Sequence, residues 1–310
     1  MPHRDFRTYY YFQLGMKGVN LKSIESILNE SVIDIPKVKE LCRSTKTPIV
    51  YRCLVWKLVL GIYSHIREAW AFIDQQLLEQ YVDLNQVLDV IEPYNNSKSV
   101  PKKLWRLFLR ERTHVHEIKN ANRDSSLLDE VREVDHMLSL LEVVVVVCQQ
   151  QATETNIPNV EVDAYWLFTF IVNKHFGLRG VGWIETVRTL VSDFRSLVET
   201  SEPQFYTAVM VPYGREVDQI FATWFGSLFA AVVPLHICQR LWDNLFFYES
   251  NEYLKFVALA ILKNMSSKLI SFAKEFLSVH KTLTQLIGCD FDGVVHNSVN
   301  MYQQKNPDNK

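Results

Sequence analysis

Residues 47–61 read TPIVYRCLVWKLVLG: a threonine, a proline, twelve residues free of turn-formers, and then a glycine. Thr47 suits an N-cap and Pro48 the first helical position, where its missing N–H costs nothing. The apolar run then predicts a helix through Leu60, and Gly61 closes it as glycine closes many helices. The same economy of turn-formers holds along the whole chain. Its 310 residues include 10 glycines and 10 prolines, where average usage would give roughly 37 together. Long uninterrupted elements follow, and an all-α fold is the expectation.

The composition narrows the class. Hydrophobic residues make up 48% and charged residues 22%, an ordinary globular balance. A net charge of −2 gives no global pull towards nucleic acid or an anionic membrane. The five cysteines, Cys42, Cys53, Cys148, Cys238 and Cys289, are odd in number and widely spaced, which suits a reducing cytoplasm better than a disulfide framework or a zinc site. Met1 to Tyr11 contains no apolar segment, so no signal peptide is expected. Ile220 to Cys238 is uncharged for nineteen residues, the length of a bilayer span. Thr223, Gly226, Ser227, Pro234 and His236 interrupt it, and a buried helix, a break at Pro234 and a second helix is the reading preferred over a transmembrane segment.

Outward from residue 61, Ile66, Trp70, Ile73, Leu77, Tyr81, Leu84, Leu88 and Ile91 recur at steps of three and four, a coiled-coil-like seam ended by Pro93. Phe72, Leu78, Val82 and Val90 fall off that seam, so the helix has two apolar sides. Either the domain packs on both, or one is offered to a partner helix. Trp70, Ile73, Leu77 and Tyr81 are the predicted partner contacts, with tryptophan and tyrosine as anchors. Pro101 to Arg112 is basic and aromatic but reads as a solvated helix face. Asn120 to Ser126 reads as a loop. Val131 to Cys148, with five consecutive valines from Val143 to Val147, is either a buried helix of poor propensity or a strand. Gln149 to Asn159 separates elements, and the glycines at 177, 180 and 182 suit a lobe boundary. The expected organisation is an N-terminal segment over 1–20, a helical domain over 21–285 with lobes of about 21–176 and 183–285, and a polar, disordered tail over 286–310. Further helices are expected over Ile184–Leu197, Gln204–Met210, Val217–Val233, His236–Tyr248 and Tyr253–Val279.

Catalytic chemistry finds little support. Cys289-Asp290-Phe291-Asp292-Gly293-Val294 has the look of a phosphatase nucleophile loop, but only sixteen residues follow it and no sheet can be built from them. His114 and His116 cannot share one helix face. Neither a phosphate-binding glycine loop nor a nucleophile elbow is present in the sequence. No catalytic residue, metal or cofactor is predicted.

Arg52-x-x-Val55-Trp56-Lys57-x-x-Leu60-Gly61 resembles the first signature of TBC domains, the helical GTPase-activating domains for Rab GTPases. Asp163-Ala164-Tyr165-Trp166, then Trp224 with Phe229-Ala230 and Pro234, then Arg240-Leu241-Trp242-Asp243, and lastly Phe256 to Leu262 resemble later family motifs in order. The resemblance covers roughly Tyr51 to Phe272 and implies an all-α TBC-type domain of two lobes. Arg52, Trp56, Trp166, Trp224, Trp242 and Asp243 fall at structural motif positions. Such domains are implied to lend the GTPase an arginine from I-x-x-D-x-x-R and a glutamine from Y-x-Q. Between Gly61 and Trp166 the one D-x-x-R is Asp129 to Arg132, with Ser126 in place of isoleucine. Gln149 has Val147 in place of tyrosine, and Tyr302-Gln303-Gln304 lies beyond the domain. Both fingers are therefore expected to be missing.

Phe6-Arg7, Tyr10, Gly15, Gly18-Val19, Lys22-Ser23, Gly61-Ile62, Glu79-Gln80-Tyr81, Val172-Asn173 and Gln239-Arg240 resemble one branch of that family, the small TBC proteins of the tuberous sclerosis complex. That resemblance implies a non-catalytic scaffold bound to the hamartin coiled coil and through it to tuberin, which activates Rheb GTP hydrolysis and restrains TOR signalling. It implies a cytoplasmic protein recruited to lysosomal or endosomal membranes by its partners, with no nucleic acid bound. The competing readings are an active activator of a Rab GTPase, using Arg132 and Gln149, and a helical adaptor outside the family.

Overall fold

The computed structural model describes residues 21–44, 46–91, 99–117, 127–155 and 159–307. Among them every regular element is helical, apart from one isolated antiparallel bridge between Val32 and Ile66. The first helices are α1 (Leu21–Leu28), α2 (Ile35–Ser44), α3 (Ile49–Val59), α4 (Trp70–Ile91), α5 (Val100–Glu117) and α6 (Leu127–Thr155). After them come α7 (Val160–Phe176), α8 (Trp183–Ser201), α9 (Val211–Gly226), α10 (Leu235–Tyr248), α11 (Glu252–Ser271), α12 (Phe276–Gln285) and α13 (Phe291–Lys305). The segments 1–20, 92–98 and 120–126, with the N-terminal motif residues and the expected turns, lie outside the described residues.

The helix of residues 47–61 forms, one residue later than the capping pattern predicts. Pro48 is the N-cap and no side chain caps the end. Thr47 is buried instead, and its carbonyl accepts from Arg52 Nη2 at 3.1 Å. Gly61 closes the helix at φ +81°, a conformation that strains any residue with a side chain.

The valine run is the middle of α6, not a strand. α6 lies against α3, α5, α7, α9 and α10, so its mid-section is enclosed and Val143, Val144, Val145 and Val147 are all buried. A valine costs a helix roughly half a kcal/mol relative to alanine. Burying its side chain returns about 1.5 kcal/mol or more, so enclosure decides. The helix runs on through polar residues to Thr155, so most of the stretch expected to separate elements is helical.

The uncharged stretch from Ile220 to Cys238 resolves into a helix, a break and a helix. α9 stops at Gly226, Leu228 and Phe229 take positive φ, and Pro234 is the N-cap of α10. Among the described residues no helix is long and apolar enough to cross a membrane.

Two expectations need correction. The single helix foreseen over Tyr253–Val279 is broken between Ser271 and Phe276. The tail foreseen as disordered from 286 is ordered as α13 along α11, and the folded domain therefore extends to Lys305. Val294, Ser298 and Tyr302 recur every four residues and are buried. Tyr302 sits among Tyr248, Tyr253 and Phe256, with ring centroids 4.4, 5.8 and 5.8 Å away. Asparagines and glutamines between these positions hid the stripe.

Candidate functional site

Two ion pairs leave α3 in different directions. The Arg52 guanidinium is buried and spends its fork on three acceptors: Asp243 (Nε to Oδ1, 3.2 Å; Nη2 to Oδ2, 3.3 Å), Gln239 Oε1 at 2.9 Å and the Thr47 carbonyl. Trp56 Nε1 donates to the same Asp243 carboxylate at 2.8 Å. Gln239 Nε2 continues the chain to Gln150 Oε1 at 3.4 Å. Burial pushes the Asp243 carboxyl above its ordinary range, against the pull of Arg52 and Trp56. Around this pair stand Trp242, 5.7 Å from the Trp56 ring, and Phe246 at 5.1 Å edge-on. The motif residues Arg52, Trp56, Trp242 and Asp243 thus meet and join α3 to α10. Trp224 is fully buried and Trp166 nearly so, with Trp166 Nε1 donating to the Leu77 carbonyl at 3.0 Å.

Lys57 carries the second pair. Its ammonium donates to Asp163 Oδ1 at 2.5 Å and to Tyr63 OH at 3.3 Å, and Tyr63 donates to Asp74 Oδ1 at 2.6 Å. Burial works against the charge on Lys57, but the Asp163 carboxylate outweighs it and raises the lysine pKa. A cavity of about 230 Å³ borders Lys57, Tyr63, Asp74 and Asp163. The sequence shows Lys57 and Asp163 as motif residues but not as a pair. The available signal was the acidic pair Glu161 and Asp163 in the first turn of a largely apolar helix, α7.

The seam of α4 faces this chain's own core, which corrects the predicted contact face. Tyr81 is 6% exposed, and its OH donates to Glu161 Oε2 at 2.9 Å. Trp70 stacks on Tyr63 with centroids 4.9 Å apart and donates Nε1 to the Ser64 carbonyl at 2.8 Å. Ile73 and Leu77 are half-buried against the core. The seam sits inward because α5 and α7 flank it and Trp166 closes over Leu77. The opposite side is open. Phe72 is 69% exposed, Val87 50% and Val90 81%, with Glu79 and Asp83 exposed between them. α4 contains no lysine or arginine, so this open row is apolar and acidic.

The substitute fingers cannot act together. Arg132 and Gln149 both lie on α6, seventeen residues apart, which at 1.5 Å per residue separates their backbones by about 25 Å. Two extended side chains cannot bridge that distance to one phosphate. The Arg132 side chain is outside those described, and Gln149 is exposed. Tyr302 is core, and Gln303 Nε2 donates to Tyr248 OH at 3.0 Å, so the Y-x-Q of the tail is structural. The Asp290-x-Asp292-Gly293 motif is a helix start: Asp290 Oδ1 accepts from Gly293 N at 3.1 Å as the N-cap of α13. A side chain at Gly293 would collide with that capping carboxylate. A wider cleft of about 550 Å³ between α6, α9 and α12 carries Asp135 and Glu216, and no lysine or arginine lines it among the described residues.

Comparison with known proteins places this geometry. The chain is 25% identical over 302 residues to TBC1 domain family member 7 of Xenopus tropicalis, covering 97% of this chain and 95% of that one. It is 24% identical over 204 residues to the GTPase-activating protein MSB4 of Saccharomyces cerevisiae, covering 56% of this chain and 40% of that one. Its fold matches the crystal structure of the Ypt/Rab-GAP domain of Gyp1p at a TM-score of 0.64 and 14% identity, over 91% of this chain and 97% of that one. The Rab-GTPase-TBC domain family matches residues 50–270, most of the chain and all of the helices that hold the two ion pairs, and the protein belongs to that family.

Proposed function

We propose that the chain is a non-catalytic TBC-domain subunit that binds a hamartin-like coiled coil. Through it the chain supports a tuberous sclerosis-type complex, in which a tuberin counterpart activates Rheb GTP hydrolysis and so restrains TOR signalling. The observation that carries the non-catalytic part is the placement of Arg132 and Gln149 about 25 Å apart on one helix. GTPase activation of this type needs an arginine and a glutamine converging on one phosphate. The assignment to this complex is supported by the end-to-end similarity to TBC1 domain family member 7 and by the branch-specific residues of the sequence.

The open row of α4 is the proposed contact surface. Phe72, Val87 and Val90 supply apolar anchors, and Glu79 and Asp83 favour a partner helix carrying lysine or arginine beside its leucines. Affinity purification from the protein's own cells tests the proposal. Recovery of hamartin and tuberin counterparts in near-equal amounts supports it. Recovery of a GTP-bound Rab without them sinks it.

The second reading, an active Rab GTPase activator, draws on the match to the GTPase-activating protein MSB4. Single-turnover GTP hydrolysis with a panel of Rab proteins decides it. Acceleration that disappears in Arg132→Ala would establish this reading; rates unchanged by the protein would remove it.

A further inference from the structure

The chain's net charge is −2, yet one small cavity gathers cations. It lies between α2, α10 and α13, holds about 210 Å³, and is edged by Arg43, Lys46, Arg240 and His296, with Cys42 and Val299 in its wall. The carboxylate within it, Asp243, is already committed to Arg52 and to Trp56 Nε1. The carboxylate outside it is Asp292 on α13, which forms an ion pair with Arg240 and is 77% exposed. Arg240, with Lys46 and His236 beside it, holds the Asp292 carboxyl below the ordinary range. The direct hydrogen bond and charge of Arg240 come first in that shift, and Lys46 and His236 add to it.

We propose that this cavity binds a phosphate monoester, with Asp292 occupying Arg240 until the phosphate replaces it. The match is one of charge, size and geometry. A phosphate monoester carries about −1.5 to −2 at neutral pH, which Lys46 and Arg240 offset, with Arg43 adding to the positive potential at the rim. An arginine fork takes two phosphate oxygens at once while a lysine acts as a point charge. The exposed Asp292 carboxylate holds one partner, Arg240, and exchanging it for a doubly charged group gains Coulomb energy. This cavity is remote from the open row of α4 in sequence and elements, so the inference stands apart from the coiled-coil reading.

The test uses the full chain and two probes, glycerol 3-phosphate by calorimetry and phosphatidylcholine vesicles containing phosphatidic acid by flotation. Phosphatidylserine at equal mole fraction is the charge control. Saturable binding to glycerol 3-phosphate without vesicle retention identifies a soluble ligand; retention on phosphatidic acid above phosphatidylserine identifies a lipid headgroup. The double variant Arg43→Ala/Lys46→Ala is expected to weaken binding about tenfold or more. Asp292→Asn is expected to tighten it about threefold, because the competing carboxylate is gone. Helical circular dichroism checks folding, and Lys46→Ala, at an exposed position, carries the loss if the double variant unfolds. Absence of binding to both probes, equal retention on phosphatidylserine, or affinities unmoved by the substitutions would overturn the proposal.

Discussion

Arg52 and Lys57 stand five residues apart on α3, and each ends in a buried ion pair, but the two pairs are built differently. Arg52 meets Asp243, Gln239 and the Thr47 carbonyl at once, and Asp243 also accepts from Trp56. Lys57 meets Asp163 and Tyr63, and a cavity of about 230 Å³ lies against that pair. Each pair borders a cavity, but the Arg52 fork is held by three acceptors at once, whereas the Lys57 ammonium meets two and faces its cavity directly. A guanidinium cannot shed its proton, whereas a buried ammonium can. The same signature stretch therefore supplies one rigid joint, between α3 and α10, and one joint with an escape, between α3 and α7. Both hold the domain together, and both cations are spent on partners within the chain.

The largest expected effect separates these joints. Asp243→Ala strands a permanent cation and the Trp56 indole N–H, and should cost about 3–5 kcal/mol of stability. Asp163→Ala should cost about half as much, because Lys57 can recruit water from the cavity or lose its proton. Urea unfolding midpoints of the two variants measure the difference. Equal losses would show that neither water nor proton loss relieves the stranded Lys57.

The two sides of α4 extend the comparison from stability to binding. Leu77→Asp buries a carboxylate against the core and should cost about 2–4 kcal/mol. Val90→Asp lies in solvent and should change stability by less than about 0.5 kcal/mol, while abolishing capture of the hamartin-like coiled coil. Thermal melts paired with pull-downs of the two variants check both halves. A Val90→Asp chain that still captures the partner would move the interface elsewhere on the molecule.

How much of this was legible in the sequence depended on whether a signal was periodic or relational. The seam of α4 and the buried pair α9–α10 could be read because apolar spacing and Pro234 are local features. Which side of α4 faces the core could not, because Trp166 and Glu161, which close over Leu77 and Tyr81, come 80 or more residues later. The valine run was ambiguous because low helix propensity argues locally, while enclosure by five neighbouring helices is a tertiary fact. α13 was missed because its buried positions alternate with polar residues, so composition masked a stripe that spacing would have revealed. Motif order disclosed the family, but the Lys57–Asp163 pair, 106 residues apart, needed the fold.

A third buried titratable group gives the smallest effect, and it tests whether the interior holds charge only where a partner is built in. His175 is buried, and its Nδ1 is 2.5 Å from Asn251 Oδ1, a neutral acceptor rather than a carboxylate. Its Nε2 has no hydrogen-bond partner. Burial outweighs the contribution of Asn251, and its pKa falls from 6.5 to about 4. The folded chain therefore binds fewer protons here than the unfolded chain between those values. Stability from this site is complete above pH 6.5 and is lost as pH falls towards 4. Between pH 7 and 5.5 the loss should be about 1 kcal/mol. His175→Gln keeps an amide donor for Asn251 and removes the titration, so its unfolding free energy should fall less over that interval. Parallel urea titrations at pH 7 and 5.5 read the difference, and identical slopes for the two proteins would mean that His175 can take up its proton in the folded state.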